Sequence, residues 1–163
     1  MKLNRSGFTL LEMLIGVAIL GILVSIATPN FRVWATHQRL RSDISQLRGD
    51  IQIARFTAIN ENAPIAVRFN VPADNQYTIF VDDGQGGGTA RDMIQNGSEE
   101  TVLQRTLANS VSFAAINAAG GGFLFNGRGL RSRPQVNPAN VVIAIADKQR
   151  QIVVSMMGDV DVL

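Results

Sequence analysis

The sequence predicts an α+β protein in which one long N-terminal helix packs on a head of antiparallel strands. Residues 8–28 are predominantly apolar, and a helical pattern of apolar residues continues to residue 58. From residue 65 onward, short segments of alternating apolar and polar residues are separated by turns rich in Gly and Asn. The first pattern has the period of a helix and the second that of strands. Helix and strands therefore occupy separate parts of the chain, as in α+β folds.

The apolar segment at residues 8–28 is long enough to cross a bilayer. As a helix it would extend about 30 Å, the thickness of the hydrocarbon core. It carries one carboxylate, Glu12, near its start. An unpaired charge in such a segment costs on the order of a few kcal/mol. We therefore predict a transmembrane helix in which Glu12 has a partner or a task.

A short basic leader, residues 1–7, precedes this segment and ends at the Gly7–Phe8 junction. Together with Glu12, this junction resembles the type III signal of type IV pilins and type II secretion pseudopilins. The resemblance implies that prepilin peptidase cleaves between Gly7 and Phe8 on the cytoplasmic side and that Phe8 is then N-methylated. Cleavage creates a cationic amine four residues before Glu12. A neighbouring subunit's Glu12 would pair with that amine in a low dielectric and set the register of a filament, which gives Glu12 a role in assembly.

Two other interpretations compete with this one. An ordinary signal peptide would be cleaved at the small-residue site Ser25–Ala27, but the apolar run is longer than the usual 7–15 residues and contains a charge. A plain single-pass anchor would leave Glu12 and the Gly7–Phe8 junction without a purpose.

Charge around the apolar segment does not by itself fix its orientation. Lys2 and Arg5 favour a cytoplasmic N-terminus, whereas Arg32, Arg39 and Arg41 follow the segment on its other side. The pilin resemblance implies a periplasmic head. We therefore expect a single-pass protein of the cell inner membrane with its N-terminus in the cytoplasm.

A second helical half is predicted over residues 29–62, after a bend at Pro29. We expect Asp43 and Asp50 to point away from its apolar stripe. The stripe has spacings of four and three residues, typical of a helix face that lies on a sheet; its members are Leu40, Ile44, Leu47, Ile51, Ala54 and Ala58.

Three arginines, Arg41, Arg48 and Arg55, recur at heptad spacing along the edge of this stripe. Such a row is typical of a solvated face. The alternative is contact with adjacent subunits or lipid head groups.

Residues 63–163 are predicted to form the β-rich head. Its polar, Gly-rich segment at 82–100 is expected to be a long mobile loop. The predicted strands are a hairpin at 65–69 and 77–81, short strands at 111–113 and 123–125, a second hairpin at 141–146 and 151–157 that turns at 147–150, and an edge strand at 160–163.

Composition gives little support to catalysis. The chain has no Cys, and its one His, His37, is expected to be an exposed helix residue. Asp82 and Asp83 lack a third carboxylate at the spacing of a calcium loop, so we expect no metal and no cofactor. A membrane-tethered enzyme is the least favoured of three functional classes.

The net charge also argues against a general role in nucleic-acid binding. The formal charge of +2 comes from 15 basic and 13 acidic residues. Removal of Lys2 and Arg5 with the leader leaves 13 of each, so the processed chain is neutral overall. A chain without net positive charge has no long-range electrostatic attraction for nucleic acid.

Further motifs lie at Ala54-Arg55 and Ala58, Phe80-Val81-Asp82-Asp83, Phe125-Asn126-Gly127, and the segment at 154–160. These motifs resemble those of the H-type minor pseudopilins and the FimT/FimU-like minor pilins. The resemblance implies a pilin-like fold and a place near a filament tip, with other pilins or pseudopilins as partners through the N-terminal helix. The favoured function is a minor pseudopilin of a type II secretion system, and the alternative is a minor type IV pilin for pilus assembly or DNA uptake.

One loop separates these two functions. Arg128, Arg131 and Arg133 lie within six residues and would contact DNA phosphates if the loop acts in DNA uptake. The spacing departs from the Gly-Arg-x-Arg pattern of that family, and no aromatic residue is present for base stacking. We therefore favour contact with a partner subunit over DNA.

Overall fold

A computed structural model describes residues 8–132 and 138–163. The chain divides into two compact units, Met1–His37 and Gln38–Leu163. Its one long helix, α1 (Leu10–Glu61), begins in the first unit and ends in the second. The helix ends at Glu61, one residue before the predicted bound at residue 62.

The described part of the second unit contains two antiparallel sheets. The first has the strand order β3-β2-β1-β5-β6, and the second β4-β7-β8-β9. The strands are β1 (Ile65–Phe69), β2 (Gln76–Val81), β3 (Thr101–Thr106), β4 (Ser112–Asn117), β5 (Gly122–Phe125), β6 (Arg131–Ser132), β7 (Ala139–Ile145), β8 (Lys148–Val154) and β9 (Val160–Val162).

The predicted helix stripe is confirmed as the centre of the core. All six of its residues are buried, and they join one apolar cluster with side chains from both sheets. In β1, Ile65, Val67 and Phe69 face this cluster, whereas Ala66 packs on the opposite face of the sheet with Met93. Alternation along the strand thus buries both faces of the first sheet. The 82–100 loop supplies the cover on the second face through Met93.

Most of the predicted strands are present, with four corrections. The two-residue strand β6 was not predicted, because Arg131 and Ser132 belong to the segment expected to be a basic loop. β3 was not predicted, because it is an exposed edge strand without an apolar alternation. The strand at 111–113 begins one residue later and continues to Asn117. The second hairpin turns at Ala146 and Asp147 rather than at 147–150, because Ala146 adopts a positive φ of 51° and closes a two-residue turn. β8 accordingly starts at Lys148 and ends at Val154.

The orientation predicted for two helix carboxylates is wrong. Asp43 and Asp50 are buried instead of pointing away from the head. Asp43 accepts a hydrogen bond from the Ala108 backbone N–H at 2.8 Å, and Asp50 accepts one from the Tyr77 hydroxyl. These partners allow carboxylates to lie beside an apolar stripe, since hydrogen bonds offset part of the cost of burying them.

The arginine row on the helix is divided in the structure. Arg41 and Arg48 are exposed, as a solvated face requires. Arg55 is half-buried and donates to the backbone carbonyls of Gly129 at 3.0 Å and Met157 at 2.9 Å. It therefore ties the helix to two turns of the head.

Candidate processing and assembly site

Helix α1 starts with a capping box made by Thr9 and Glu12. The Thr9 hydroxyl accepts a hydrogen bond from the Glu12 backbone N–H at 3.2 Å. The Glu12 carboxylate in turn accepts from the Thr9 backbone N–H at 3.0 Å and from its hydroxyl at 3.2 Å. This reciprocal arrangement satisfies backbone donors that the first turn of a helix leaves unpaired. Glu12 thus has a local partner, Thr9, that was not predicted from the sequence, although the Thr-x-x-Glu spacing is typical of a capping box.

The predicted cleavage junction lies at the edge of the described residues. Phe8 is 81% exposed and precedes the helix, whereas Gly7 lies outside the described ranges. Cleavage at this bond and methylation of Phe8 remain predictions.

The apolar segment after Phe8 exposes its large side chains in the part of the chain that the structure describes. Every large apolar side chain from Phe8 to Ile26 is more than half exposed. A Cβ added at Gly16 or Gly21 would meet no atom within 4 Å outside the local helix. Within residues 8–132 and 138–163, no helix combines the length and the hydropathy that crossing a membrane requires.

The three arginines of the basic loop have different environments. Arg128 is exposed at the tip of a turn, Arg131 is only 5% exposed in β6, and Arg133 lies outside the described residues. Burial lowers the pKa of the Arg131 guanidinium. In the described part of this loop, the cation at the surface is therefore Arg128.

A cavity brings Arg128 together with a residue that sequence reasoning had not connected to it. Arg91, from the 82–100 loop, lines the same space as Arg128. The two are far apart in sequence, and no local motif links them. Only the fold brings them to one cavity.

The segment expected to be a long mobile loop is organised by two buried carboxylates. Asp82 accepts hydrogen bonds from the backbone N–H groups of Arg91 and Met93, and Glu99 accepts from those of Gly84 and Asn96. The segment is irregular apart from a short 3₁₀ turn, Gln85–Gly87.

Three observations concern the side chains that the sequence analysis considered for catalysis or metal binding. Both carboxylate oxygens of Asp82 accept hydrogen bonds from backbone N–H groups. Among the described residues, no group of three or more His, Asp or Glu side chains is arranged to hold a metal ion. His37 is half-buried rather than exposed.

A long N-terminal helix whose stripe packs on an antiparallel head defines a pilin-like protein. The chain belongs to the family of type II transport protein GspH, whose family model matches residues 43–158. The prokaryotic N-terminal methylation motif matches residues 2–28. The resemblance noted in the sequence to GspH/FimT-like pilins is thereby confirmed.

Relatives of known sequence are fimbrial and pilin-like proteins. A fimbrial protein of Pseudomonas aeruginosa is 33% identical over 119 residues, which cover 71% of this chain and 75% of the relative. The pilin-like protein PilA1 of Thermus thermophilus is 28% identical over 159 residues, which cover 96% of this chain and 97% of the relative.

Two kinds of solved structure share the fold. The minor pilin FimU of Pseudomonas aeruginosa superposes with a TM-score of 0.59 at 16% identity, covering 80% of this chain and 92% of FimU. The minor pseudopilin EpsH of the type 2 secretion system of Vibrio cholerae superposes with a TM-score of 0.54 at 15% identity, covering 77% of this chain and 96% of EpsH. The pilin-like fold is therefore common to pilus and secretion components.

Proposed function

We propose that this protein is a non-enzymatic minor subunit that is cleaved after Gly7, N-methylated at Phe8 and anchored in the inner membrane by residues 8–28. Its head lies in the periplasm, and other pilin-like subunits contact it through α1. Glu12 pairs with the N-terminal amine of a neighbouring subunit. The leader, residues 1–7, stays in the cytoplasm and is removed.

One observation carries this proposal: Glu12 is held at the first turn of a helix whose large apolar side chains from Leu10 to Ile26 are more than half exposed among the described residues. The Glu12 carboxylate accepts hydrogen bonds from Thr9 at Oε2, and we propose that Oε1 accepts from a donor on a neighbouring subunit. An amine arriving from a neighbour would meet a carboxylate that is already oriented. The match of the methylation motif to residues 2–28 supports cleavage and methylation next to that carboxylate.

The first test is the mass and the N-terminal sequence of the protein purified from its host membranes. We expect a chain that starts at Phe8 and carries one added methyl group. The control is the Gly7→Arg variant. Its bulky side chain should keep the peptidase from the bond before Phe8, so the variant should retain the leader. A mature chain starting at Thr28 would replace the pilin interpretation with an ordinary signal peptide.

Our preferred setting is the tip of the pseudopilus of a type II secretion system. It is supported by the family description of type II transport protein and by the fold shared with EpsH. A role at the tip of a type IV pilus is the second candidate, supported by the similarity to a fimbrial protein and by the fold shared with FimU.

A deletion strain distinguishes the two settings. Loss of secreted protein from the medium with normal surface pili supports the secretion setting. Loss of pili with normal secretion supports the pilus setting. Complementation with the wild-type chain is the control for each strain.

A further inference from the structure

A cavity of about 680 Å³ opens where the end of α1 meets two loops of the head. The residues that line it come from the chain just after the helix, from the 82–100 loop and from the segment between β5 and β6. They are Asn62, Pro64, Ala90, Arg91, Asn126, Gly127, Arg128, Leu130 and Ser132.

Arg91 is brought to this cavity by a buried carboxylate. Asp82, which is 0% exposed, accepts a hydrogen bond from the Arg91 backbone N–H at 2.5 Å and from the Met93 backbone N–H at 2.8 Å. These bonds hold the backbone of Arg91 at a φ of 64°, in the left-handed region. The main chain at Arg91 is therefore fixed while its guanidinium stays exposed.

Arg128 is brought to the same cavity by a tight turn. The side-chain oxygen of Asn126 accepts hydrogen bonds from the backbone N–H groups of Arg128 at 2.9 Å and Leu130 at 3.2 Å. The Asn126 carbonyl also accepts from the Gly129 N–H at 2.8 Å. The two guanidinium groups thus project from two independently braced loops, so little backbone ordering remains to oppose ligand binding.

The cavity has the charge and the donors that a carboxylate needs. The described residues that line it include two arginines, two asparagines and one serine, and none is Asp or Glu. Guanidinium groups bind carboxylates through paired, charge-assisted hydrogen bonds. We infer that this cavity is a binding site for a carboxylate side chain presented by an acidic segment of a neighbouring pilin-like subunit.

The surroundings of the cavity favour a peptide over nucleic acid. None of the described lining residues is aromatic, so the cavity offers no surface on which bases would stack. Two cations in one cavity suit a single acidic group better than a row of phosphates. That the carboxylate comes from a subunit rests on the proposed function, whereas the preference of the cavity for a carboxylate does not.

A second copy of this chain is a weaker candidate for the acidic partner. A smaller cavity of about 290 Å³ is lined by Glu61, Asp83 and Glu100 among other residues. Asp83, however, already accepts hydrogen bonds from the backbone N–H of Gln85 at 3.0 Å and from its side-chain amide at 2.9 Å. Because Gln85 already occupies the Asp83 oxygens, fewer acceptors in the acidic cavity are available to arginines of another copy.

The test is a binding titration of the full chain in uncharged detergent micelles. The probe is a capped, fluorescently labelled oligoglutamate peptide, and an oligoglutamine peptide of the same length is its neutral control. We expect saturable binding of oligoglutamate that falls about tenfold or more in Arg91→Gln and in Arg128→Gln. The matched variant Arg150→Gln removes an exposed arginine outside the cavity and should bind like the wild type. Thermal unfolding monitored by circular dichroism checks that each variant is folded.

Four results would overturn the inference, and the first three concern binding. They are equal oligoglutamate affinity in Arg128→Gln and Arg150→Gln, tighter binding of a short DNA duplex with the same dependence on Arg91 and Arg128, and competition by inorganic phosphate as effective as that by oligoglutamate. Concentration-dependent dimerisation that requires Glu61 and Arg128 would transfer the site to a second copy and would also contradict it. Failure of this binding test would leave the analysis of the mature N-terminus unaffected. The inference and the proposed function can therefore fail separately.

Discussion

The Tyr77 hydroxyl donates a hydrogen bond to Oδ2 of Asp50 at 2.6 Å and so joins β2 to α1 inside the head. The Nε of Arg105, on β3, donates to the same oxygen at 2.8 Å. Asp50 is 4% exposed, so both donors act on a carboxylate that water scarcely reaches. Burial and the hydrogen bond to Asp50 raise the pKa of Tyr77, which keeps its hydroxyl protonated as the donor. The three groups fix the helix against the first sheet.

Tyr77→Phe should lower the free energy of unfolding by about 1–3 kcal/mol, because it removes one donor from a buried carboxylate while preserving the ring. The measurement is urea denaturation of the full chain in uncharged micelles. The control is a double-mutant cycle with Asp50→Asn. If the two substitutions act on one interaction, their effects should not add; full additivity would contradict the coupling.

A second prediction concerns the joint around Arg55. Gly158 has a φ of +82°, and a Cβ added there would press on the Gly129 carbonyl oxygen and lie 2.8 Å from Arg55 Nε. Gly158→Ala should therefore destabilise the protein through both backbone strain and collision. Its expected cost is about 2–4 kcal/mol, in the upper part of the range for single substitutions.

The matched control for Gly158→Ala is Gly87→Ala. Gly87 has a φ of +91°, yet an added Cβ would meet nothing within 4 Å. This variant should lose about 1–2 kcal/mol of stability from the strain of a left-handed residue. It should not suffer the collision. Equal losses of stability in the two variants would show that the close approach to Arg55 and Gly129 has no energetic weight.

Asp82 gives a prediction for the pH dependence of stability. Burial raises its pKa above the ordinary value of 3.8, and the nearby carboxylates of Glu99 and Asp92 raise it further, against the two backbone hydrogen bonds. A carboxyl whose pKa is higher in the folded state binds protons more readily when folded. Its contribution therefore favours folding at low pH and is lost as the pH rises from about 3.8 through the folded value.

Asp82→Asn removes this titration while leaving that of Asp43 in place. The stability of the wild type relative to Asp82→Asn should therefore be greatest near pH 4 and should shrink toward neutrality. Urea denaturation at a series of pH values measures the difference. A difference that grows with pH would have the sign of a lowered pKa and would refute the burial argument.

The fold was predictable from the sequence where apolar residues recur with a single helical or strand period. The helix stripe from Leu40 to Ala58 recurs at helical spacing, and the alternation in β1 has the two-residue period of a strand. Local signals of this kind determine which face is buried. β3 has no such signal: it is a mostly exposed edge strand, placed by its pairing with β2.

The buried polar groups were not predictable from local sequence. Asp50 looks like a solvated helix residue until Tyr77 and Arg105, distant in the chain, supply its hydrogen bonds. Arg91 and Arg128 share a cavity for the same reason, because two loops from separate parts of the head converge there. The capping box of Thr9 and Glu12 is different, because the Thr-x-x-Glu spacing that indicates it is local and present in the sequence.

A choice of substitutions can separate the observed capping role of Glu12 from its proposed pairing with a neighbour's amine. Glutamine at this position still reaches back to the Thr9 N–H, since a capping box accepts Glu or Gln. Glu12→Gln therefore keeps the start of the helix and removes the charge that would pair with a neighbour's amine. Glu12→Leu removes both. If assembly depends on charge pairing, both variants should be cleaved and inserted normally yet fail to co-purify with other pilin-like subunits from host membranes.

The mass of the processed chain is the control, because a variant that keeps its leader would fail to assemble for another reason. Normal co-purification of Glu12→Gln together with failure of Glu12→Leu would assign Glu12 to helix capping instead of charge pairing. Normal co-purification of both would remove Glu12 from assembly altogether. We expect neither result. In a low dielectric, the attraction between an amine and a carboxylate is stronger than the interaction of the same amine with the neutral amide of glutamine.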